Sequence, residues 1–234
     1  MAAPAAIVIP ALKRHTSTVI VAHGLGDSGA GWTFLAHHFT SRQKFPETKW
    51  IFPSAPSIPI TINMGTRMPG WYDITSFEDL ASRSEDEPGI LRSQSYFHEL
   101  IDKEVEAGIP SERVVLGGFS QGGAMALLSG ITSERKLGGV FGLSCYMLLR
   151  EKLEGMVPKS KPNAGTPIFM GHGDADQVVR YVWGQQTAAK LKDLGYGVEF
   201  KTYPGLPHSA APEELDDLEK YLSARIPDVG EKKL

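Results

Sequence analysis

The stretch LGGFSQGGAMALL, residues 116–128, places four glycines around one serine, where an apolar run changes into a pattern of helical spacing. Glycine destabilises the interior of a strand or helix by about 0.5–1 kcal/mol relative to alanine, so this cluster indicates tight or close-approach backbone geometry. Residues 118–122 match G-x-S-x-G between a predicted strand and a predicted helix, which predicts a sharp turn that exposes Ser120 as a nucleophile. A glycine-rich phosphate loop is the alternative, but the pattern G-x-x-x-x-G-K-[ST] is absent.

Strand-like and helix-like segments alternate along the chain, and this predicts one α/β domain over residues 1–234. β-branched and apolar runs that end at glycine or proline indicate buried strands, and amphipathic segments between them indicate helices. The alternation favours a mostly parallel sheet flanked by helices. Residues 1–15 and 226–234 are predicted to be peripheral or frayed, and residues 57–87 to form a long loop.

Composition narrows the range of partners and compartments. The 234 residues carry 24 basic and 27 acidic side chains, and no basic stripe interleaved with aromatic residues predicts a nucleic-acid partner. No run approaches the roughly 18–20 apolar residues of a spanning helix, so at most transient contact with a membrane surface is expected. The single cysteine, Cys145, favours a reducing compartment. We therefore expect the protein in the cytoplasm, with the nucleus as a further location.

Two further side chains are expected to complete a catalytic triad with Ser120. In α/β-hydrolases the triad members follow the chain order serine, acid, histidine. His172 and His208 both follow the serine, and only His208 lies downstream of acidic residues at a predicted strand end. Asp174 and Asp176 are both candidates for the acid, and spacing alone does not separate them. The acid would hold His208 in the required tautomer and stabilise its charged form.

Two backbone N–H groups are expected to bind the oxyanion that forms during acyl transfer. One belongs to Gln121, the residue after the nucleophile, and the other comes from the loop after an early strand. The segment HGLGDSG, residues 23–29, follows a predicted strand, and its glycines let an amide point inward. Leu25 is its predicted donor.

A metal cluster is the competing interpretation of these polar strand ends. His23, His172 and Asp176 are the potential ligands, but no paired HxH, HxxxH or HExxH spacing supports a metal site. We therefore expect no metal.

Five blocks, in this order and spacing, make the chain resemble the acyl-protein thioesterases of the lysophospholipase/carboxylesterase type: HGLGDSGAGW, INMGTRMPGWYDI, LGGFSQGGAMAL, GHGDADQVV and YPGLPHS. The similarity extends over nearly the whole chain and implies an α/β-hydrolase fold. In that family the acid is the second aspartate of the HGDxD block, which implies Asp176 here. The family hydrolyses fatty-acyl thioesters on protein cysteines, chiefly palmitoyl groups, and often lysophospholipids and small esters, without a metal or cofactor.

The resemblance also implies an acyl-binding channel that is covered by the INMGTRMPGWYDI segment. Met64, Met68 and Trp71 are its predicted substrate contacts, because side chains this apolar are unusual in an idle surface loop. The alternative is that they fill the core beneath the loop. Val178, in the GHGDADQVV block, is assigned to the same channel.

The sequence therefore predicts a serine hydrolase that cleaves fatty-acyl thioesters from S-acylated proteins, with lysophospholipids and acyl esters as further substrates. A general short-chain carboxylesterase is the alternative within the enzyme class, because channel depth sets chain-length preference and the sequence does not show it. A hydrolase fold used only for binding is the alternative outside that class. Such a protein would be expected to have lost a triad member, whereas Ser120, Asp176 and His208 are all present.

Overall fold

The computed structural model describes residues 4–76 and 84–230, in which strands and helices alternate as the sequence predicts. The strands are β1 (Ile7–Ile9), β2 (Ser17–Ala22), β3 (Thr48–Phe52), β4 (Ser57–Ile60), β5 (Thr66–Pro69), β6 (Val114–Phe119), β7 (Gly139–Leu143), β8 (Ile168–Gly173) and β9 (Val198–Tyr203). The helices are α1 (Gly29–Ser41), α2 (Glu87–Glu106), α3 (Gln121–Ile131), α4 (Leu153–Met156), α5 (Tyr181–Asp193) and α6 (Pro212–Arg225).

Within the described residues, the strands other than β4 and β5 form one sheet of seven, in the spatial order β1-β3-β2-β6-β7-β8-β9. Neighbouring strands of this sheet run parallel, except that β1 pairs antiparallel with β3. The chain places β3 on one side of β2 and β6 on the other, so the direction of winding reverses between β2 and β6. In such sheets a ligand binds at the carboxyl ends of the strands beside the reversal.

Two hydrophobic clusters cover the two faces of the sheet. One contains Leu35 of α1 and Leu218 of α6, and the other contains Phe97 of α2, Met125 of α3 and Trp183 of α5. Alternate residues of β2 and β6 belong to different clusters, because successive side chains of a strand point to opposite faces. None of the helices in the described part of the chain is both long and apolar enough to cross a membrane.

Two segments contain strands that the sequence prediction missed. Residues 7–9, predicted to be peripheral, form β1 at the edge of the sheet, because three β-branched residues in a row favour an extended strand. Within the predicted loop 57–87, β4 and β5 pair as a hairpin. Pro59 and Pro69 lie within these strands and led to the prediction of a loop, because proline lacks the N–H of a strand ladder. Proline is nevertheless tolerated in edge strands. Residues 77–83 of that loop lie outside the described residues.

The C-terminal segment was predicted to be frayed, but its described part is hydrogen-bonded to the body of the protein. The backbone N–H groups of Val229 and Gly230 each donate to the carboxylate of Glu47 at 2.9 Å. Such long-range contacts leave no local signal in the sequence. Residues 1–3 and 231–234, which belong to the predicted termini, lie outside the described residues.

Candidate active site

Ser120 sits in a strained turn between β6 and α3. Its φ of 54° and ψ of −121° are rarely adopted by a residue with a side chain. A Cβ atom on Gly118 or Gly122 would collide with the backbone carbonyl of Ala22 on β2. The two glycines therefore let strand, turn and helix approach closely enough to hold the serine in this conformation, as the G-x-S-x-G pattern predicts.

His208 lies between Ser120 and Asp176 and contacts both. Its Nε2 is 3.0 Å from Ser120 Oγ, and its Nδ1 is 2.7 Å from Asp176 Oδ2. An ionised carboxylate only accepts hydrogen bonds, so Nδ1–H donates to Asp176 and Nε2 is left to accept the serine hydroxyl. This is the hydrogen-bond order in which a histidine can take the proton of a serine nucleophile.

The environment of Asp176 keeps its carboxyl group ionised. Burial opposes the charge, but contacts from His172 and His208 and the backbone N–H of Val178 outweigh it and hold the pKa of Asp176 well below its usual range. Its Oδ1 accepts from the N–H groups of Val178 and Val179, both at 2.9 Å. The carboxylate is therefore both charged and fixed in orientation where it faces His208.

Asp174 and His172, the alternatives for the acid and the base, have other contacts. Asp174 Oδ1 accepts the N–H of Gly205 at 2.7 Å and so joins two loops. His172 is fully buried, with its Nε2 2.8 Å from the carbonyl oxygen of Val179. The structure thus brings Asp176 and His208 to the serine.

Leu25 and Gln121, the predicted oxyanion donors, both line the same cavity as Ser120. Gln121 is the first residue of α3, so its backbone N–H has no acceptor within the helix. Its side chain holds the segment after the β4–β5 hairpin, because Oε1 accepts the N–H of Trp71 and Nε2 donates to the carbonyl oxygen of Tyr72, both at 2.7 Å. The N–H of Gly26 donates to Pro69 in turn, which ties the hairpin to the Leu25 loop.

His23, the candidate metal ligand, supports the Leu25 loop from below. Burial lowers its pKa and so favours the neutral imidazole. Its Nδ1 lies 2.6 Å from the carbonyl oxygen of Gly24, and its Nε2 accepts the N–H of Ala55 at 3.0 Å. Both ring nitrogens are therefore engaged within the protein. In the two described ranges, no group of three His, Cys, Asp or Glu side chains is arranged to hold a metal ion.

A cavity of about 690 Å³ opens above Ser120. Val178 lines it as predicted, whereas Met64, Met68 and Trp71 do not, and their assignment to the channel lining is corrected here. Met64 stands at the tip of the hairpin with 97% of its surface exposed, and Trp71 is only 2% exposed in the core. The side chain of Met68 contacts Asn63 within the hairpin. The apolar residues of this segment therefore have different surroundings: Trp71 anchors the segment in the core, and Met64 is exposed at the tip of the hairpin.

Most of the cavity lining was missed from the sequence, because it comes from helices and loops that are far apart in the chain. The lining side chains that sequence reasoning did not single out include Trp32, Phe34, His38, Ile74, Phe119, Tyr146, Val179, Trp183 and Leu215. Phe119 carried a local signal as the residue before the nucleophile in the G-x-S-x-G pattern, and Trp32, Ile74 and Val179 each end one of the five sequence blocks.

The parallel sheet, the strained serine turn and the Ser–His–Asp contacts together define an α/β-hydrolase. A family model described as Phospholipase/Carboxylesterase matches residues 3–226, and the chain belongs to that family. It is 54% identical over 229 residues to acyl-protein thioesterase 1 of Neurospora crassa, covering 97% of this chain and 94% of the relative. This result confirms the family that the five sequence blocks predicted.

Solved structures agree with this assignment. Acyl-protein thioesterase 2 of Zea mays superimposes with a TM-score of 0.84 at 30% identity, covering 94% of this chain and 98% of that chain. SOBER1 of Arabidopsis thaliana superimposes with a TM-score of 0.83 at 34% identity, covering 90% of this chain and 99% of that chain. The predicted α/β-hydrolase fold is therefore confirmed.

Proposed function

We propose that this chain is a serine hydrolase that removes fatty-acyl groups from S-acylated protein cysteines. The observation that carries the proposal is the hydrogen-bonded arrangement of Ser120, His208 and Asp176 at the base of a large cavity with mostly aromatic and aliphatic walls. Relatives named acyl-protein thioesterase 1, up to 54% identical to this chain, support the thioester substrate. Lysophospholipids carry the same kind of acyl chain on an oxygen ester, and we include them as further substrates.

In the first half of the reaction, Ser120 Oγ attacks the thioester carbonyl carbon and His208 Nε2 takes the hydroxyl proton. The backbone N–H groups of Gln121 and Leu25 stabilise the resulting oxyanion, each by roughly 2.7–4 kcal/mol in the transition state. Asp176 remains ionised and stabilises the charged imidazole. The carbon–sulfur bond then breaks, and His208 returns the proton to the departing cysteine sulfur.

In the second half, His208 Nε2 takes a proton from water, and the water oxygen attacks the acyl-serine ester. Collapse of this intermediate releases the fatty acid and returns the proton to Ser120 Oγ. The products are a free cysteine on the substrate protein and a fatty acid. The residues of this chain supply every proton transfer in both halves.

Replacement of Ser120 by alanine tests the nucleophile. We expect Ser120→Ala to lower kcat on a soluble acyl thioester by on the order of 10⁵–10⁶, the scale found when the serine of such a triad is removed. Ser95→Ala, on an exposed face of α2, is the matched control and should keep wild-type kcat. If Ser120→Ala retains more than a few per cent of kcat with an unchanged circular dichroism spectrum, Ser120 is not the nucleophile.

A series of thioesters and oxyesters from C2 to C16, each kept below its micelle concentration, separates the thioesterase from a short-chain carboxylesterase. Apolar burial adds up to about 0.8 kcal/mol per CH₂. We therefore expect kcat/KM to rise through the medium chain lengths, by at most about fourfold per CH₂. A maximum at C2–C4 would favour the carboxylesterase and leave the triad assignment intact.

A further inference from the structure

The cavity above Ser120 has two walls that belong to opposite faces of the sheet. The first, called here the α5 wall, consists of Ile74, Tyr146, Val178, Val179 and Trp183. All but Val178 belong to the hydrophobic cluster on the α2, α3 and α5 face. The second, called here the α1 wall, consists of Trp32, Phe34, His38, Phe119 and Leu215. Trp32, Phe119 and Leu215 belong to the cluster on the α1 and α6 face or pack against it.

Ser120 lies between the walls, because it follows a central strand at the edge where the two faces meet. A thioester whose carbonyl carbon is at Ser120 has two parts, the acyl chain and the thiol-bearing part, on either side of the reacting bond. Each wall therefore faces one of these two parts.

The position of His208 decides which part each wall receives. Its ring must lie beside the leaving sulfur, because His208 Nε2 returns the proton to that atom. The ring of His208 packs against Phe119, with 4.7 Å between ring centroids. Phe119 stacks on Trp32 at 5.2 Å, and Trp32 contacts Phe34 at 5.3 Å. A continuous row of rings thus leads from the proton donor along the α1 wall.

We propose that the α1 wall binds the polypeptide that carries the acylated cysteine, and that Phe34 selects substrates with an apolar or aromatic side chain near that cysteine. This inference rests on the proposed function. The distance between neighbouring ring centroids in this row equals the length of about one and a half residues of extended chain. The three steps of the row therefore reach side chains within about four positions of the cysteine. Phe34, at the outer end of the row, is 42% exposed and can bury further apolar surface when such a side chain lies on it.

Two half-exposed apolar residues, one on each wall, allow a reciprocal test. Phe34 is 42% exposed on the α1 wall, and Val178 is 47% exposed on the α5 wall. Val182, on α5 and 45% exposed, does not line the cavity and is the matched control. The three variants are Phe34→Ala, Val178→Ala and Val182→Ala, and their free energies of unfolding are compared first by urea titration.

The substrates are octanoyl and butyryl thioesters of short cysteine peptides that differ in one position, phenylalanine or serine, four residues after the cysteine. We expect the wild-type enzyme to have a kcat/KM about five- to tenfold higher for the phenylalanine peptide than for the serine peptide. Phe34→Ala should reduce this phenylalanine-to-serine ratio of kcat/KM to below about twofold. The ratio of kcat/KM for octanoyl against butyryl thioesters should stay as in the wild type. Val178→Ala should lower the octanoyl-to-butyryl ratio instead, and Val182→Ala should alter neither ratio.

Three outcomes would overturn the inference while the proposed function stands. The first is an equal kcat/KM on the two peptides in the wild type, and the second is an unchanged phenylalanine-to-serine ratio in Phe34→Ala. The third is that Phe34→Ala alters the octanoyl-to-butyryl ratio and Val178→Ala alters the phenylalanine-to-serine ratio. The last of these would mean that the walls are assigned the wrong way round. A wild-type enzyme that cleaves none of these thioesters would overturn the proposed function, and this inference with it.

Discussion

Ser120 combines a positive φ with a hydroxyl group that lies 3.0 Å from an imidazole nitrogen. A strained backbone of this kind costs on the order of 1–3 kcal/mol and persists only where the surrounding structure enforces it. Here the enforcing contacts are backbone ones, at Gly118 and Gly122 against Ala22. The strained backbone at Ser120 makes its side chain project above the sheet, which is consistent with a catalytic role for Ser120.

The two aspartates of the HGDAD segment give a prediction at the same scale. Asp176→Asn should lower kcat by on the order of 10⁴, because an amide does not hold His208 in the required tautomer. Asp174→Asn should mainly affect stability, by about 1 kcal/mol, since Asp174 accepts one loop N–H from Gly205. Both kcat values are measured with a soluble thioester, and stability by urea unfolding. Similar losses of kcat in the two variants at equal stability would contradict the assignment of the acid.

The element that matters most for the site is the unit of β6, the serine turn and α3. Gln121 begins α3, and its side chain bonds to the backbone of Trp71 and Tyr72. The indole N–H of Trp71 donates in turn to the carbonyl oxygen of His23, at 2.9 Å, just after the end of β2. One helix start is thereby joined to the hairpin segment and to the loop that carries Leu25. The position of both predicted oxyanion donors thus depends on how these elements pack together.

A comparison of two glycines tests this close packing. Gly122→Ala should destabilise the protein by about 3 kcal/mol or more, because the new Cβ would overlap the rigid backbone at Ala22. Gly155→Ala is the control, since Gly155 lies in α4 and, apart from its chain neighbours and the backbone of its own helix, no atom lies within 4 Å of the position that its Cβ would take. It should be neutral or stabilising by up to about 1 kcal/mol. Equal unfolding free energies for the two variants in urea would show that the turn is not tightly packed.

At the scale of the whole molecule, long-range polar contacts close the end of the sheet opposite the site. Arg113 donates to the carbonyl oxygen of Thr16 at 2.6 Å and to that of Pro227 at 2.9 Å. Glu47 accepts from the backbone of Val229 and Gly230. The described C-terminal end of the chain is therefore held at the amino ends of the parallel strands, opposite the carboxyl ends where the site lies.

One buried carboxyl group should make the stability of the whole protein depend on pH. Burial raises the pKa of Glu214 to about 8, and the backbone N–H of Ala211 only partly offsets this effect. Below the unfolded value, near 4.5, both states are protonated and ionisation has no effect on stability. Between that value and about 8 the unfolded state ionises while the folded state stays protonated. The free energy of unfolding should therefore fall by up to about 1.4 kcal/mol per pH unit as the pH rises through this range.

Glu214→Gln should remove this dependence, because an amide does not ionise. The difference in unfolding free energy between the variant and the wild type, measured in urea from pH 5 to pH 8, should increase with pH in favour of the variant. Glu213→Gln is the matched control, since the neighbouring Glu213 is exposed. If both variants follow the wild-type pH profile, Glu214 is already ionised in the folded protein at low pH.

The sequence by itself determined the features that depend on a few neighbouring residues. The alternation of strands and helices follows from hydrophobic periodicity, and the serine turn follows from glycines at Gly118 and Gly122. The chain order of strand-end residues was enough to select His208. Spacing left the acid open between Asp174 and Asp176, and the family resemblance was needed to choose between them.

Only the tertiary structure decided which side chains face the substrate. Trp71 and Met64 belong to one apolar segment, yet Trp71 lies in the core and Met64 lies at an exposed hairpin tip. Phe34 and Val178 lie far apart in the chain and line the same cavity. The physical reason is that hydrophobicity favours burial in general and specifies no partner. The parallel sheet brings the carboxyl ends of its strands to one edge, and the lining of the cavity there depends on which helices cover the two faces.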